Sequence, residues 1–348
     1  MPEEYHLEYV NLSRERYVSE INKFLSTFGL EFSKDVDFTV IMRDLNGNLV
    51  GTGSSKGEIL RNIAVDETVQ GVGLTSSILS ALMQNLARQG IMHYFIFTKP
   101  EKAFLFENLG FQEIARAEPY ASLLESGHGS VVSYCEMVAK KAEHLPLNRA
   151  GLVINANPFT KGHRALIEKA ASECPGVIVF VVSEDRSLFP YHDRFSLINE
   201  GVRDLENVVV VEGGKYIISA ATFPTYFTRE QDHVKAQTRL DISLFAQQIA
   251  PRLAISDRYI GEEPYCPVTS EYNQAMSDIL PGKGIRVHVV PRFMIGNEIV
   301  SASKVRDLIR QNDWKQLERF VPETTLNYLK DERNKNVLEK VRSSDSRH

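Results

Sequence analysis

Hydrophobic positions in the first third of the chain alternate between the spacing of strands and the spacing of helices. Strands are predicted in "HLEYV", "EILRNIAVD" and "HYFIFT", and helices over roughly 14–28 and in "SSILSALMQNLARQG". "DFTVIMRD" and "LVGTGSS" are joined by "LNGN", whose Asn46 and Gly47 predict a hairpin. "KPEKAFLFENLGFQEI" predicts a helix that ends at Gly110, followed by a strand. This mixture of elements predicts an α+β domain.

The rest of the chain has a different pattern, in which continuous apolar runs are separated by helical segments. The runs are "GLVINANPF", "GVIVFVVSED", "NVVVVEG" and "GIRVHVVPR". They predict a parallel, Rossmann-like α/β sheet that is covered on both faces and binds its ligand beyond the carboxyl ends of the strands. The polar, proline-containing stretch "KKAEHLPLNRA" predicts a boundary between domains 1–142 and 143–348.

Composition limits the classes of function. The chain has 348 residues, 43% of them hydrophobic, which is enough for two cores, and its net charge of −5 argues against binding nucleic acid or an anionic membrane. Three scattered cysteines, Cys135, Cys174 and Cys266, and an acidic start without a signal-like or membrane-spanning apolar run predict a cytoplasmic protein.

Two turns between a predicted strand and a predicted helix have the composition of phosphate sites. In "QGVGL", Gly71 and Gly73 let backbone N–H groups approach a pyrophosphate. In "NANPFTKGH", Gly162 allows close approach and His163 can donate a hydrogen bond. Thr160 adds a hydroxyl, and Lys161 adds a charge that is as well explained by solvation.

A second polar helix start lies far downstream, in "IVSASKVRDLIR". Taken alone, its serines are typical of an ordinary N-cap, and a lone histidine after a glycine is typical of a cap or a surface residue. The two segments together, in one domain, favour a site that binds the phosphates of a nucleotide.

The segments "IAVDETVQGVGLTSSILSALM" and "AFLFENLGF" resemble the acetyl-CoA pyrophosphate loop and the late helix of the GNAT acyltransferases. That loop usually has Arg or Gln three residues before its first glycine, where this chain has Thr68. The resemblance leaves two readings open, an active acyltransferase and a domain retained for docking. His93, Tyr94 and Tyr120 are more typical of packed or surface positions than of a general base.

The turn before α-helical "RALIEKAASE" resembles the H-x-G-H motif of adenylyltransferases, with Thr160 in place of the first histidine, and "IVSASKVRDLIR" resembles their second signature. The segments between them, among them "SEDRSLFPYHDRFSLINEG", "LDISLFAQQIAP" and "GEEPYCPVTSEYNQAM", resemble the citrate lyase ligase family. The resemblance covers nearly all of the chain apart from its charged tail.

The resemblance implies a reaction and its partners. ATP, with Mg²⁺, and acetate would give acetyl-adenylate and pyrophosphate. The acetyl group would then pass to the phosphopantetheine-type thiol on the acyl carrier (gamma) subunit of citrate lyase. No residue is assigned to a metal.

Residue roles follow from the resemblance and from the chemistry, since an ionised acetate needs alignment and charge neutralisation rather than a base. His163 and Thr160 are assigned to the α- and β-phosphates, and Lys304 and Arg306 to the leaving pyrophosphate. The expected cofactor-binding residues are Asn157, Pro158, Phe159, Gly162, Ser301 and Ser303, with Gly71 and Gly73 for the phosphates of the prosthetic group in the first domain. Asn157 is expected to orient the turn or the acetate. Weaker candidates are Asp185, Arg186, Arg194, Glu262 and Tyr265, while Cys266 is predicted to be a buried small residue.

Two other functions stay open from the sequence. One is an adenylyltransferase of the type that makes a dinucleotide cofactor, which explains both phosphate motifs but not the first domain. The other is a non-catalytic protein that binds an acyl carrier, for which Thr68 and Thr160 are the best evidence.

Overall fold

The computed structural model describes residues 4–183, 187–217, 230–264 and 267–344. Its contacts divide the chain into two units. Unit 1 contains residues 4–133 and 230–243, and unit 2 contains the remaining described residues. No helix among the described residues is long and apolar enough to cross a membrane.

Unit 1 is built on one mixed sheet with helices on both faces. Its elements are β1 (Tyr5–Tyr9), α1 (Glu15–Ser26), β2 (Phe38–Asp44), β3 (Leu49–Lys56), β4 (Ile59–Val65), α2 (Leu74–Arg88), β5 (His93–Thr98), α3 (Ala103–Glu107), β6 (Gln112–Ala117) and β7 (Ala121–Gly127). The sheet order is β1-β2-β3-β4-β5-β7-β6, antiparallel except for β4 and β5. The predicted hairpin is confirmed as β2 and β3.

The two faces of this sheet have separate apolar cores. One core includes Ile78 and Leu82 of α2, and the other includes Ile21 and Leu25 of α1. β4 and β5 pair only at Ile59–Leu60, so they are not hydrogen-bonded to each other over the rest of their length. His93 and Tyr94 are both buried, and the His93 ring is hydrogen-bonded to the Glu125 carboxylate at 3.0 Å, so they are packed residues.

The chain from α4 onward completes the fold. Its elements are α4 (Val131–Lys141), β8 (Arg149–Ile154), α5 (Lys161–Glu173), β9 (Val177–Val181), α6 (Tyr191–Gly201), β10 (Val208–Glu212), α7 (Glu230–Leu244), α8 (Ala250–Arg252), β11 (Ile255–Gly261), α9 (Pro267–Ile279), β12 (Arg286–Val290), β13 (Met294–Ile295), β14 (Glu298–Ile299), α10 (Ala302–Arg310), α11 (Trp314–Phe320), α12 (Glu323–Lys330) and α13 (Lys335–Ser343). The last residues of α7 continue into a π-helical turn, Phe245–Ile249.

Unit 2 has a parallel sheet with the order β10-β9-β8-β11-β12. One apolar core lies between this sheet and helices α5 and α6, and a second joins α10 to α13. The predicted fold class, an α+β domain followed by a parallel-sheet α/β domain, is confirmed. The division between the units falls after residue 133, inside helix α4, whereas the sequence predicted a boundary after residue 142. Within unit 2 the Tyr134 hydroxyl donates to Glu212 O at 2.7 Å.

Strand β11 is central to the sheet and carries two buried charged residues, Asp257 and Arg258. The Asp257 carboxylate accepts hydrogen bonds from Arg286 Nε at 2.8 Å and from His288 Nε2 at 2.7 Å, both on the neighbouring strand. These bonds hold the pKa of Asp257 well below its usual range, although burial acts in the opposite direction. The charge is therefore stabilised by partners across the strand pair.

Candidate active site

The strand order of unit 2 reverses direction between β8 and β11. The sheet grows from β8 to β10 on one side and from β11 to β12 on the other, so the connections after these two central strands run to opposite faces. Ligands of open α/β sheets bind at such a switch point, outside the carboxyl ends of the strands. Here that position is occupied by residues 155–160, after β8, and 262–264, after β11.

The turn after β8 ends in a reciprocal cap on α5. Thr160 is the N-cap in an extended conformation, and its hydroxyl accepts from the backbone N–H of His163. In return, the backbone N–H of Thr160 donates to Nδ1 of the His163 ring at 3.1 Å. Since a backbone N–H can only donate, Nδ1 is an acceptor, and the neutral ring has its proton on Nε2.

The His163 ring is neutral at physiological pH. Burial, with a further contribution from the charge of Arg292, lowers its pKa to about 4. The ring also stacks on Phe159, with 6.0 Å between ring centroids. His163 is thus a fixed, uncharged Nε2–H donor at the start of a helix, whose free N–H groups favour an anion.

The second helix start has the geometry of an N-cap, as one interpretation of the sequence predicted. Ser301 caps α10, and its hydroxyl accepts from the backbone N–H of Lys304 at 3.2 Å. Ser303 is exposed. The Lys304 ammonium is partly exposed and lies 3.4 Å from a carboxylate oxygen of Glu298.

Two contacts bring the two helix starts together. Gly162, in the first turn of α5, lies against the residue that precedes the α10 cap, because a Cβ at residue 162 would be 3.0 Å from Val300 O. Arg306, one turn into α10, is buried, and its Nη1 donates to Asn157 O at 2.5 Å. The two segments singled out in the sequence therefore converge at the carboxyl end of β8.

Several expected ligand-binding residues shape the turn instead of facing outward. Asn157, Pro158 and Phe159 are buried, and Asn157 Oδ1 accepts from the backbone N–H of Phe189 at 3.1 Å. Thr325 donates its hydroxyl hydrogen to Phe159 O at 3.0 Å. These contacts fix the path of the chain into the Thr160 cap.

Arg194, a weak candidate for ligand contact in the sequence, has a structural role. Its side chain is fully buried and donates to three backbone carbonyls at 2.9–3.0 Å, those of Asn155, Val182 and Phe189. Arg194 therefore ties together the chain segments that leave β8 and β9, since each carbonyl receives a charged donor.

The remaining weak candidates divide into two groups. Lys161 donates from its ammonium to Glu318 O at 3.3 Å, and Glu262 is exposed, with its carbonyl bound by Arg292. The other four, Asp185, Arg186, Tyr265 and Cys266, lie outside the described residues. Within those described ranges, no group of three acidic, histidine or cysteine side chains could hold a metal ion.

Sequence reasoning assigned no role to Arg292 and Glu263. Arg292 follows β12 by two residues, and Glu263 follows β11 by two, so both lie at the carboxyl edge of the sheet. The signal that could have found them is the position itself, because charged residues directly after parallel strands lie at the ligand-binding edge.

The glycine turn of unit 1 is open and lacks a side-chain cap. Gly71 and Gly73 have φ of 88° and 83°, which favours glycine, and Gly73 is the N-cap of α2. A Cβ at Gly71 would meet nothing within 4 Å. Thr68, where the GNAT pattern has Arg or Gln, donates its hydroxyl hydrogen to Asp66 at 2.6 Å.

Comparison with known families agrees with the resemblance of the motifs. Residues 149–329 match the family described as citrate lyase ligase C-terminal domain. A [Citrate [pro-3S]-lyase] ligase of Klebsiella pneumoniae is 40% identical over 89% of this chain and 91% of its own length. The chain belongs to the citrate lyase ligase family. The corresponding ligase of Escherichia coli K12 is 36% identical over 96% of this chain and 94% of its own. The prediction of an acid–thiol ligase is therefore confirmed.

Solved structures give weaker likenesses. An acetyltransferase of the GNAT family from Staphylococcus aureus has a TM-score of 0.30 and 14% identity, and covers 36% of this chain and 99% of its own. TmcAL of Thermotoga maritima, in a structure bound with alpha-thio ATP, has a TM-score of 0.36 and 16% identity, with 54% of this chain and 56% of its own covered.

Proposed function

We propose that this citrate lyase ligase joins acetate to ATP at the carboxyl edge of the unit 2 sheet, and then transfers the acetyl group to the thiol of a phosphopantetheine-type group on the acyl carrier subunit of citrate lyase. The observation that supports this most is the convergence of the α5 and α10 starts beside a neutral His163. Mg²⁺ enters as part of the substrate, bound to the phosphates of ATP.

In the first step an acetate oxygen bonds to the α-phosphorus, and the bond from that phosphorus to pyrophosphate breaks. Negative charge grows on the phosphate oxygens, and the residues must supply donors that are already aimed at it. His163 Nε2–H is such a donor, because the Thr160 cap holds Nδ1 as an acceptor. A neutral donor also keeps its proton throughout the step.

Lys304 and Arg306 have different parts in this proposal. Lys304 is partly exposed at the start of α10, so its ammonium is the group that neutralises the leaving pyrophosphate. Arg306 is bound to Asn157 O and holds the second segment against the first. Ser301 and Ser303 serve the helix start, Ser301 as its cap.

In the second step the thiolate sulfur of the carrier's prosthetic group attacks the acetyl carbonyl, and AMP leaves with the bonding electron pair. We assign to the GNAT-like first domain, residues 1–142, the binding of the prosthetic arm, and to residues 143–348 the adenylation. Gly71 and Gly73 expose backbone N–H groups at the start of α2, where the phosphate of the arm can bind.

The test is acetate-dependent exchange of labelled pyrophosphate into ATP, followed by acetyl transfer to purified carrier. Exchange with acetate, and transfer, support the proposal. Exchange that requires a nucleotide in place of acetate would select an adenylyltransferase of the dinucleotide-cofactor type. Absence of exchange in the folded protein would overturn the adenylate mechanism.

A further inference from the structure

Arg292 is placed at the carboxyl edge of the sheet by the end of β12, the strand next to β11. Its Nε donates to Glu262 O at 2.9 Å, and its Nη2 donates to the Glu263 carboxylate. The two side chains are 20% and 16% exposed, so the pair is well fixed yet still reaches the surface of the edge. A fixed, partly exposed guanidinium can bind two oxygens of one phosphate at once, which the ammonium of a mobile lysine does not do in a fixed geometry.

The contacts around Arg292 connect it to the convergence of the two helix starts. Its neighbour Phe293 accepts, through its carbonyl, the backbone N–H of Val300 at 3.0 Å. Val300 in turn is the residue against which Gly162 packs. The charge of Arg292 is also felt at the His163 ring, whose pKa it helps to lower. The Arg292 guanidinium is therefore close enough to His163, the proposed phosphate donor, to act on the same ligand.

The three cations of the site differ in how available they are. Arg306 is buried against Asn157 O, and turning it to a ligand would break that bond. The Lys304 ammonium is 3.4 Å from Glu298 on a side chain that is 40% exposed. The Arg292 side chain is 20% exposed, and its Nε and Nη2 donate to Glu262 O and to the Glu263 carboxylate.

We infer that Arg292 is a further phosphate-binding residue of the adenylation site, and that Glu263 is the positioning residue that orients its guanidinium. Arg292 then supplies to the phosphates the positive charge that the sequence analysis had assigned to Arg306. The inference rests on the proposed function, because it takes the triphosphate of ATP as the ligand. The Arg292 guanidinium contacts the β- and γ-phosphates of ATP, which AMP lacks.

The experiment compares Arg292→Gln with Arg292→Lys and with Arg286→Gln in the full-length protein, measuring the Kd of ATP and of AMP by calorimetry. Arg286 is a matched control, because it is an arginine at the other end of the same strand and pairs with Asp257. We expect Arg292→Gln to raise the Kd of ATP about 10- to 100-fold, because one or two charge-assisted hydrogen bonds are lost. The Kd of AMP should change little. Arg286→Gln should change neither Kd.

Two more measurements separate binding from structure. The pKa of His163, followed by NMR, should rise in Arg292→Gln and stay low in Arg292→Lys, which keeps the charge but loses the planar fork. Glu263→Gln should weaken ATP less than Arg292→Gln does, since Gln can still accept a hydrogen bond.

The inference is overturned if folded Arg292→Gln and Arg292→Lys bind ATP as the wild type does, or if ATP and AMP weaken equally. Acetate-dependent exchange by the wild type is scored separately. If exchange is absent while the ATP-specific loss is present, the proposed reaction fails and the phosphate contact stands.

Discussion

The two turns proposed to bind phosphate, Thr160–His163 at the start of α5 and Gly71–Gly73 before α2, differ in how they present hydrogen-bond donors. Each lies between a strand and the N-terminus of a helix, where backbone N–H groups are free. The first turn is closed by a side-chain cap that fixes an imidazole. The second has glycine at the cap and only backbone to offer.

In our proposal, this difference distinguishes the turn that takes part in catalysis from the turn that only binds a ligand. A transition state lasts too briefly for donors to reorganise around it, so a catalytic turn needs side chains fixed beforehand. A turn that only holds a phosphate needs accessible N–H groups and room, and Gly71 has nothing within 4 Å of a Cβ position. Four predictions test whether the first turn is catalytic and the second only binds a ligand.

The largest effect is expected at His163. His163→Ala should slow acetate-dependent pyrophosphate exchange about 10²- to 10³-fold, the usual cost of one preorganised donor to developing charge. The glycine turn of unit 1, which is proposed to bind the carrier's prosthetic arm, is unchanged in this variant, so the KM for the carrier should not change. Near-wild-type exchange by a folded His163→Ala variant would contradict a catalytic role of the first turn.

The next effect is expected at Gly71. Gly71→Glu places a carboxylate where the prosthetic phosphate should bind, and a repulsion of about 2 kcal/mol would raise the KM for the carrier about 30-fold. Gly71→Ala is the matched control, because it has the same strain at φ of 88° without the charge. Exchange should be spared in both. An equal rise of the KM for the carrier in both variants would indicate that backbone strain causes it and not repulsion of a phosphate.

The third prediction concerns acid. The unfolded chain protonates His163 at its ordinary pKa of 6.5, whereas the folded chain does so only near 4. Between these values the unfolded state binds more protons, so stability falls as pH falls, by up to about 1.4 kcal/mol per pH unit, and is unaffected above 6.5. Urea unfolding followed by the fluorescence of Trp314, the single tryptophan, should show this.

The His163→Ala variant is the reference for that titration, since it keeps the other eight histidines. Its stability should depend less on pH between 6.5 and 4 than that of the wild type. Identical pH dependence in the two proteins would mean that the imidazole is not held neutral by the fold.

The smallest effect is expected at Thr160. Thr160→Val removes the hydroxyl that caps α5 and should cost about 1 kcal/mol of unfolding free energy, while Thr160→Ser keeps the acceptor and should cost little. The backbone N–H that fixes Nδ1 of His163 remains in both variants. Exchange should therefore fall far less than in His163→Ala. The sequence assigned Thr160 to the phosphates, whereas the buried cap predicts a structural role. A loss of exchange as large as that of His163→Ala would support the first assignment.

The sequence predicted four strands of the parallel sheet and missed the fifth, β11. β8, β9, β10 and β12 were found as apolar runs, but β11 was not, because Asp257 and Arg258 interrupt its hydrophobic pattern. Besides accepting a hydrogen bond from the adjacent Ser256 hydroxyl, the Asp257 carboxylate is paired with Arg286 and His288 on the next strand. Such a pairing is 29 or 31 residues away along the chain and has no local signal.

The motifs of the candidate site could be predicted from the sequence, but the contacts that hold these motifs in place could not. Thr160, Gly162, His163 and Ser301 could be named, because helix starts have local signatures. The reason for Gly162 is the approach of Val300, a contact between distant segments that only the fold creates. Arg194 was a weak candidate for the wrong reason, since burial and carbonyl partners are not visible in a sequence.

The bond between Arg306 and Asn157 O has a consequence for how the protein is made. It joins residues that are 149 positions apart, whereas the bond from Phe189 to Asn157 spans only 32. Contacts of long sequence separation cost more loop-closure entropy and can form only after the distant segment exists. During synthesis the turn after β8 is therefore anchored early on one side and braced on the other only when nearly the whole chain has left the ribosome. A chain cut short before residue 306 would keep much of its parallel sheet and lack the finished turn.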